Sequence, residues 1–305
     1  MTLFRTAHFA VAALMIPGTL FAQDYSGGVT LGYGKSDISD TSEDLTTLTI
    51  DLGGRIHASD RLFFGGALGL ANIDGDGGGD LSLNYFSGEI GFKPHEMFEL
   101  GLYAEKSEAD LGVFIGDASV TSFGAMVGAQ YGGVDVSAFL GKSETDPDLP
   151  SGVDVTDAGL QIGRDFASGA FITARVGQSR VTDGTDDARM TIVGLAGGYR
   201  ITPAMTVFAG VSRATIEDLD GDLTTAGIGL SYDLTNMGPA PITLSGEFVR
   251  SDLDAGAFSG EMDTIRFGLS IPFGNAAASA PRNSVASSIA NPRRNTLSAA
   301  LIEAF

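Results

Sequence analysis

Charged side chains in this sequence alternate with apolar ones along short segments. Residues 264–273, for example, hold Arg266 between Ile265 and Phe267. Because successive side chains of a β-strand point to opposite faces, such a segment has one apolar face and one polar face. Twelve residues on polar faces of this kind are the candidates for chemistry: Asp51, Arg55, Glu89, Glu99, Tyr103, Glu105, Asp135, Asp157, Gln161, Arg175, Glu247 and Arg266.

These twelve residues include seven carboxylates and three guanidinium groups. Burying so many charges in a dry core without partners would be strongly destabilising, so we expect the polar faces to enclose water. Rings of acidic side chains favour cations in a pore, and the sequence therefore predicts a cation-preferring lumen. In the alternative, Arg55, Arg175 and Arg266 pair with neighbouring acids and only brace the wall.

The sequence contains few of the residues that an enzyme active site requires. After the first 22 residues the only histidines are His57 and His95, both in predicted turns, and the chain has no cysteine. It contains no G-x-S-x-G turn and no H-E-x-x-H helix, so the parts of a nucleophilic or zinc-dependent site are missing. We therefore expect no enzyme and no cofactor.

Two acidic stretches, 74–80 and 217–222, offer clustered oxygen ligands of the kind that calcium takes. Neither stretch fits the calcium loop of the EF-hand, which requires a glycine and a distal glutamate at fixed positions. Solvated loop tips are the simpler interpretation, and no metal site is predicted. The weak calcium candidates are Asp74, Asp76, Asp80, Asp218, Asp220 and Asp222.

The alternating pattern predicts an all-β fold, a closed antiparallel transmembrane β-barrel with about fourteen strands. Short turns alternate with long polar loops, and an even strand number lets the barrel close with both ends on one side. Twelve or sixteen strands are the alternatives. Residues 61–71 and 81–92 depart from strict alternation, which a bulge or an inward-packed apolar patch would explain. The predicted strands are 25–35, 45–56, 61–71, 81–92, 98–107, 119–130, 134–143, 155–165, 170–179, 189–200, 205–214, 223–234, 242–250 and 263–273.

Composition and the first residues place the chain outside the cytoplasm. With 18 Lys and Arg against 38 Asp and Glu, the acidic chain is poorly suited to nucleic acid. Residues 1–22 combine Arg5, an apolar stretch and small residues towards Ala22, which predicts a Sec-type signal peptide. Residues 23–273 then form the barrel.

Residues 274–305 differ in kind from the barrel. They are rich in Ala, Ser, Asn and Pro, and hold Arg282, Arg293 and Arg294. This composition predicts a disordered periplasmic tail with a short helix at its end. In a weaker alternative, the tail enters the barrel, its arginines attracted to the acidic lumen.

The chain has a predicted signal peptide, an alternation of short turns with long loops, and a last strand that ends in an aromatic residue. In these features it resembles Gram-negative outer-membrane β-barrel proteins of the porin type. The resemblance implies an outer-membrane location, contact with lipid and lipopolysaccharide, and insertion by the barrel-assembly machinery. It leaves open whether the protein is a monomer or a trimer. The assembly signal it implies lies in the last strand: Phe267, Leu269, Ile271 and Phe273.

Two functions are compatible with this sequence. The first is a channel for passive diffusion of small hydrophilic solutes with a preference for cations. The second is a non-conducting barrel whose acidic loops serve as a surface adhesin or structural element. A wet lumen favours the first.

Overall fold

Fourteen strands form a closed antiparallel barrel in the computed structural model of the chain, as predicted. The structure describes residues 24–39, 44–75, 80–110, 116–184, 187–217, 221–235, 241–256, 258–274, 280–291 and 293–304. The predicted signal peptide lies outside them. The strands are β1 (Tyr25–Ile38), β2 (Asp44–His57), β3 (Leu62–Gly75), β4 (Asp80–His95), β5 (Phe98–Asp110), β6 (Asp117–Tyr131), β7 (Val134–Asp146), β8 (Asp154–Asp165), β9 (Ala170–Thr182), β10 (Asp187–Thr202), β11 (Met205–Ile216), β12 (Gly221–Asp233), β13 (Thr243–Ala255) and β14 (Phe258–Gly274).

Each strand pairs with its neighbours in sequence, and β1 closes the ring by pairing with β14. In this closing pair Ser26 lies opposite Gly274 and Tyr33 lies opposite Phe267. Closure satisfies the backbone hydrogen bonds of both terminal strands and leaves no sheet edge. We call the end where β1 begins and β14 ends the near end, and the opposite end the far end.

The strands run past their predicted limits at the far end. β14 begins at Phe258 rather than at residue 263, and β9 ends at Thr182 rather than at residue 179. Outward-facing residues there are charged and pair across strands, as Arg250 does with Asp263 at 2.7 Å. The apolar alternation ends where lipid contact would end, but the hydrogen-bonded ladder continues through these charged hairpins.

The outer surface of the barrel carries a continuous apolar belt. Leu31, Leu102 and Phe267 are among its exposed large side chains, and Leu102 is 62% exposed. A belt of this extent does not occur on the surface of soluble monomers and is typical of lipid-facing barrels. No helix in the described part of the chain combines the length and hydrophobicity that a membrane crossing requires.

The irregular segments of β3 and β4 are explained by an inward-packed apolar patch. Phe63, Ile73, Leu83 and Tyr85 all face the interior and are buried. The register between the two strands runs without a shift from Leu62 opposite Phe92 to Asp74 opposite Asp80, so these strands pair without a bulge.

The expected disorder of the tail is wrong for residues 280–291 and 293–304. These residues lie inside the barrel, where they form α1 (Val285–Ala290) and α2 (Thr296–Ala304). Val285, Ala286 and Ile289 are fully buried. We call residues 280–291 and 293–304 the plug. The structure instead agrees with the weaker alternative, in which the tail enters the lumen.

Candidate functional site

The twelve predicted polar-face residues all point into the barrel, and most of them contact each other or the plug. Asp135 lies on the same side of β7 as Ser137 and Phe139, which line the interior cavity. Strict alternation of side chains along each strand fixes this placement. Their role as the lining of a conducting pore stays a prediction.

Ion pairs brace one part of the wall. Arg55 donates to Glu89 at 2.7 Å and to Glu99 at 3.2 Å, and its guanidinium carbon lies 4.2 Å from the ring centroid of Phe63. Arg266 faces Glu247 at 3.8 Å. These two arginines therefore brace the wall, as the alternative interpretation predicts. Several other interior acids contact the plug instead of a wall arginine.

The plug enters the lumen at the near end. The guanidinium of Arg282 donates to the carbonyl of Gly53 at 2.8 Å, and its backbone amide donates to the hydroxyl of Thr30 at 3.2 Å. Absence of a side chain at Gly53 matters here, because a Cβ at this position would lie 2.4 Å from the Arg282 Nη1. The first turn of the plug thus follows the inner faces of β1 and β2.

Helix α1 packs at mid-height against β9 to β12. Its apolar side chains, including Val285 and Ile289, join Ala196, Phe208 and Val249 of the wall in one buried cluster. The carboxylate of Glu247 accepts a hydrogen bond from the amide of Val285 at 3.1 Å. A negative group satisfies free amides at the start of a helix, so this acid stabilises the first turn of α1, whose N-cap is Ser284.

Helix α1 approaches the wall closely because glycine stands opposite it. A Cβ placed on Gly210 would lie 2.9 Å from the amide nitrogen of Ala286, and one on Gly194 would lie 3.1 Å from the Ile289 side chain. Both glycines lie on the inner face near the middle of their strands. Because they have no side chains, they leave a recess that accommodates the helix.

The segment that leads into α2 is held by Glu105. One carboxylate oxygen accepts from the backbone amides of Arg294 at 2.8 Å and Asn295 at 3.0 Å. The other oxygen accepts from the Tyr85 hydroxyl at 3.3 Å. Glu105 is 4% exposed. Hydrogen bonds from several donors are what makes a buried carboxylate tolerable.

Asn295 connects α2 to a second buried acid. Its side-chain oxygen accepts from the amides of Leu297 at 3.1 Å and Ser298 at 3.2 Å, which caps the helix. Its side-chain nitrogen donates to Asp157 at 3.2 Å. Asp157 is 0% exposed and also accepts from the hydroxyls of two wall serines, Ser143 and Ser179.

Two plug arginines lie on aromatic rings beside carboxylates. Arg294 donates to Glu89 at 3.0 Å, faces Glu105 at 3.7 Å, and has its guanidinium carbon 4.3 Å from the centroid of the Tyr103 ring. Arg293 lies 3.8 Å above the centroid of the Tyr85 ring. Glu89 and Glu105, two of the acids on which the predicted cation preference rests, therefore already contact a cation supplied by the plug.

The far half of the lumen is filled by α2. Glu303 forms an enclosed ion pair with Arg175, and its carbonyl accepts from Arg266 at 3.1 Å. Ala299 and Ala300 pack against inward-facing residues of β10 and β11. The plug thus contacts strands on all sides of the ring.

A cavity of about 670 Å³ lies between the plug and the near half of the wall. Arg55, Glu89, Arg175, Arg293 and Arg294 are among its lining residues. It extends from the near-end residues of β1 and β14 to the plug.

The calcium candidates gain no support. Asp76, Asp218 and Asp220 lie outside the described residues, and Asp222 pairs with Arg213 at 2.7 Å. Among the residues that the structure describes, no group of three or more His, Asp or Glu side chains is arranged to hold a metal ion.

The sequence pattern does not indicate that the inward-facing residues hold a plug. Phe63 and Tyr85 only interrupt the alternation of β3 and β4, and the composition of residues 274–305 predicts disorder for Asn295 and Glu303. The available signal was the set of small residues on the inner faces, such as Gly194 and Gly210, because small inward residues leave room for another element.

The chain matches no protein-family model and no curated protein. Its fold is similar to that of solved outer-membrane proteins. An anion-selective porin from Comamonas acidovorans is 12% identical, with 83% of this chain and 99% of the porin aligned and a TM-score of 0.52. A Pseudomonas aeruginosa FadL homologue is 12% identical over 84% of this chain and 92% of its own, with a TM-score of 0.51. The CymD monoaromatic hydrocarbon channel is 10% identical over 83% and 89%, with a TM-score of 0.52. The chain therefore has the fold of outer-membrane β-barrel proteins, which confirms the predicted resemblance.

Proposed function

We propose that the protein is an outer-membrane channel closed by its own plug. With the plug displaced, the lumen passes small hydrophilic solutes by diffusion and prefers cations. The apolar belt supports a position in the outer membrane of a Gram-negative bacterium, where lipid and lipopolysaccharide are the proposed surroundings of the barrel. Solved barrels of this fold are described as a porin and as a hydrocarbon channel, which supports a transport role over an enzymatic one.

The observation that carries this proposal is the chemistry of the contact between plug and wall. Interior acids such as Glu89 and Glu105 are satisfied by arginines and amides of the plug rather than by the wall alone. When the plug leaves, these acids line a wet, negatively charged passage. If the barrel never opened, apolar side chains between plug and wall would make the closed protein more stable, because buried ion pairs add little net stability.

Planar-bilayer recordings of the full chain and of a variant lacking residues 275–305 test the proposal. The deletion variant is expected to give long-lived open currents, with reversal potentials in a salt gradient that indicate cation preference. The full chain is expected to show rare openings. A deletion variant that inserts, shows the heat-modifiable gel shift of a folded barrel and carries no current would overturn the channel function.

The second candidate is a non-conducting barrel with an adhesive or structural role. Contacts of the plug with strands on all sides of the ring favour it, because they close the lumen at mid-height. The same recordings separate the two functions. Silence of the full chain under voltage, together with currents from the deletion variant, supports a gated channel, whereas silence of both supports the second candidate.

A further inference from the structure

We infer that the open lumen selects guanidinium-bearing cations over ammonium cations, so that its substrates are solutes such as arginine-like amines or short arginine-containing peptides. The inference rests on the proposed channel function and names the substrate class. It comes from how the wall holds two plug arginines, which occupy sites that become free when the plug leaves.

The first site is formed by β4 and β5. Glu89 and Glu105 project from neighbouring strands and face different nitrogens of the Arg294 guanidinium, at 3.0 Å to Nη2 and 3.7 Å to Nη1. The Tyr103 ring covers its face, with 4.3 Å between the guanidinium carbon and the ring centroid. Two carboxylates at the edge and an aromatic ring on the face match the shape and donor pattern of a guanidinium.

The second site is formed by β2 and β4. The Tyr85 ring lies 3.8 Å from the guanidinium carbon of Arg293. Asp51 of β2 lies near it without forming an ion pair: Asp51 Oδ1 and Arg293 Nη2 are 3.3 Å and 3.6 Å from the same point, a Cβ built on Gly69. This site therefore repeats the aromatic contact on the adjoining part of the wall, with a carboxylate nearby.

An ammonium ion fits these sites less well. It is a compact, strongly hydrated charge, and it cannot contact two separated carboxylates and lie flat on a ring at the same time. A guanidinium is planar and more weakly hydrated, and it stacks on aromatic faces. Because all the ligating groups belong to the wall, the preference outlasts removal of the plug.

The wall itself repeats the arrangement with a permanent occupant. Arg55 lies over the Phe63 ring and donates to Glu89 and Glu99. Glu89 therefore holds a wall arginine with one oxygen and the plug arginine with the other. After the plug leaves, one oxygen of Glu89 and one oxygen of Glu105 lose their plug donors, while the other Glu105 oxygen still accepts from the Tyr85 hydroxyl.

The experiment uses the variant lacking residues 275–305 in planar bilayers, with potassium chloride as the current carrier. Agmatine and cadaverine are added from the near side as matched dications, one with a guanidinium and one with only ammonium groups. Agmatine is expected to block the current at roughly tenfold lower concentration, a difference of the size that cation–π and bidentate contacts provide. The double variant Y85L/Y103L is expected to remove most of this difference.

Failure of the inference is separable from failure of the channel function. A deletion variant without current contradicts the channel, whereas one that conducts and is blocked equally by both dications contradicts only the guanidinium preference. A second measurement uses the full chain. R294K keeps the positive charge and a trypsin site, yet is expected to raise tryptic cleavage within the plug, while R213K, at an outward-facing arginine of β11 that pairs with Asp222, is expected to leave it near the level of the unaltered chain. Equal cleavage of the two variants overturns the inference.

Discussion

Glu303 of the plug and Arg175 of β9 form an ion pair whose side chains are only 2% and 3% exposed. The guanidinium also donates to the carbonyl of Ser288 at 3.4 Å, so one wall residue contacts both helices of the plug. Removing one member of an enclosed pair leaves the other charged and unsatisfied, which costs far more than the pair contributes.

Replacing Glu303 by Gln is therefore expected to destabilise the docked plug by about 3 kcal/mol, or roughly a hundredfold rise in the undocked fraction. Tryptic cleavage of the plug and the open probability in bilayers report this change. The double variant R175Q/E303Q should recover much of the loss, because no buried charge is left alone. Loss that is equal in the single and double variants would contradict the role of the pair.

A side chain on Gly210 is expected to expel α1. The Cβ of a leucine would already lie 2.9 Å from the Ala286 amide nitrogen, and the rest of the side chain has no room. We expect G210L to fold as a barrel, since each strand pairs with its two neighbours and not with the plug, and to conduct like the deletion variant. Gly88 provides the control because it faces outward with no atom within 4 Å of an added Cβ. Continuous currents from G88L, or none from G210L, would contradict this account.

Changes at Asn295 should separate its two contacts. N295A removes the helix cap and the hydrogen bond to Asp157, with an expected cost near 1 kcal/mol for the cap alone. N295D keeps a capping oxygen but places a second carboxylate against the fully buried Asp157. We therefore expect N295D to undock the plug more than N295A, measured as the rate of tryptic cleavage. The reverse order would mean that capping outweighs charge at this position.

The last strand should suffice for assembly. Phe267, Leu269, Ile271 and Phe273 face outward on β14, and Phe273 lies opposite Gly27 in the closing pair. A chain ending at Gly274 keeps this complete strand and is expected to insert with unchanged yield, scored by the heat-modifiable gel shift. F273A should reduce the yield in both the full and the shortened chain. A shortened chain that fails to insert would assign part of the assembly signal to the plug.

Alternation along the strands made most of the fold predictable. A period of two identifies both a strand and its inward face, so the sequence alone predicts that Glu105, Asp157 and Arg175 face the interior. Strand ends were less accurate at the far end. There the outward residues become charged while backbone pairing continues, as with Arg250 and Asp263.

The plug was not predictable in the same way. Helix α1 spans only six residues and α2 is weakly amphipathic, so neither gives a strong periodic signal. Both helices are stabilised by groups far away in sequence, such as Glu105 for Asn295, and a pattern within the segment does not contain that information. The arginines of the tail were the one local feature that indicated its destination.

The pairing of β1 with β14 also sets an order of events. Arg282 binds Thr30 on β1, and Arg266 on β14 binds the carbonyls of Asn283 and Glu303. The receptor for the plug is therefore complete only after the first and last strands have met. We therefore expect the plug to dock only after the barrel has closed, so that a barrel whose first and last strands have not paired is left unsealed.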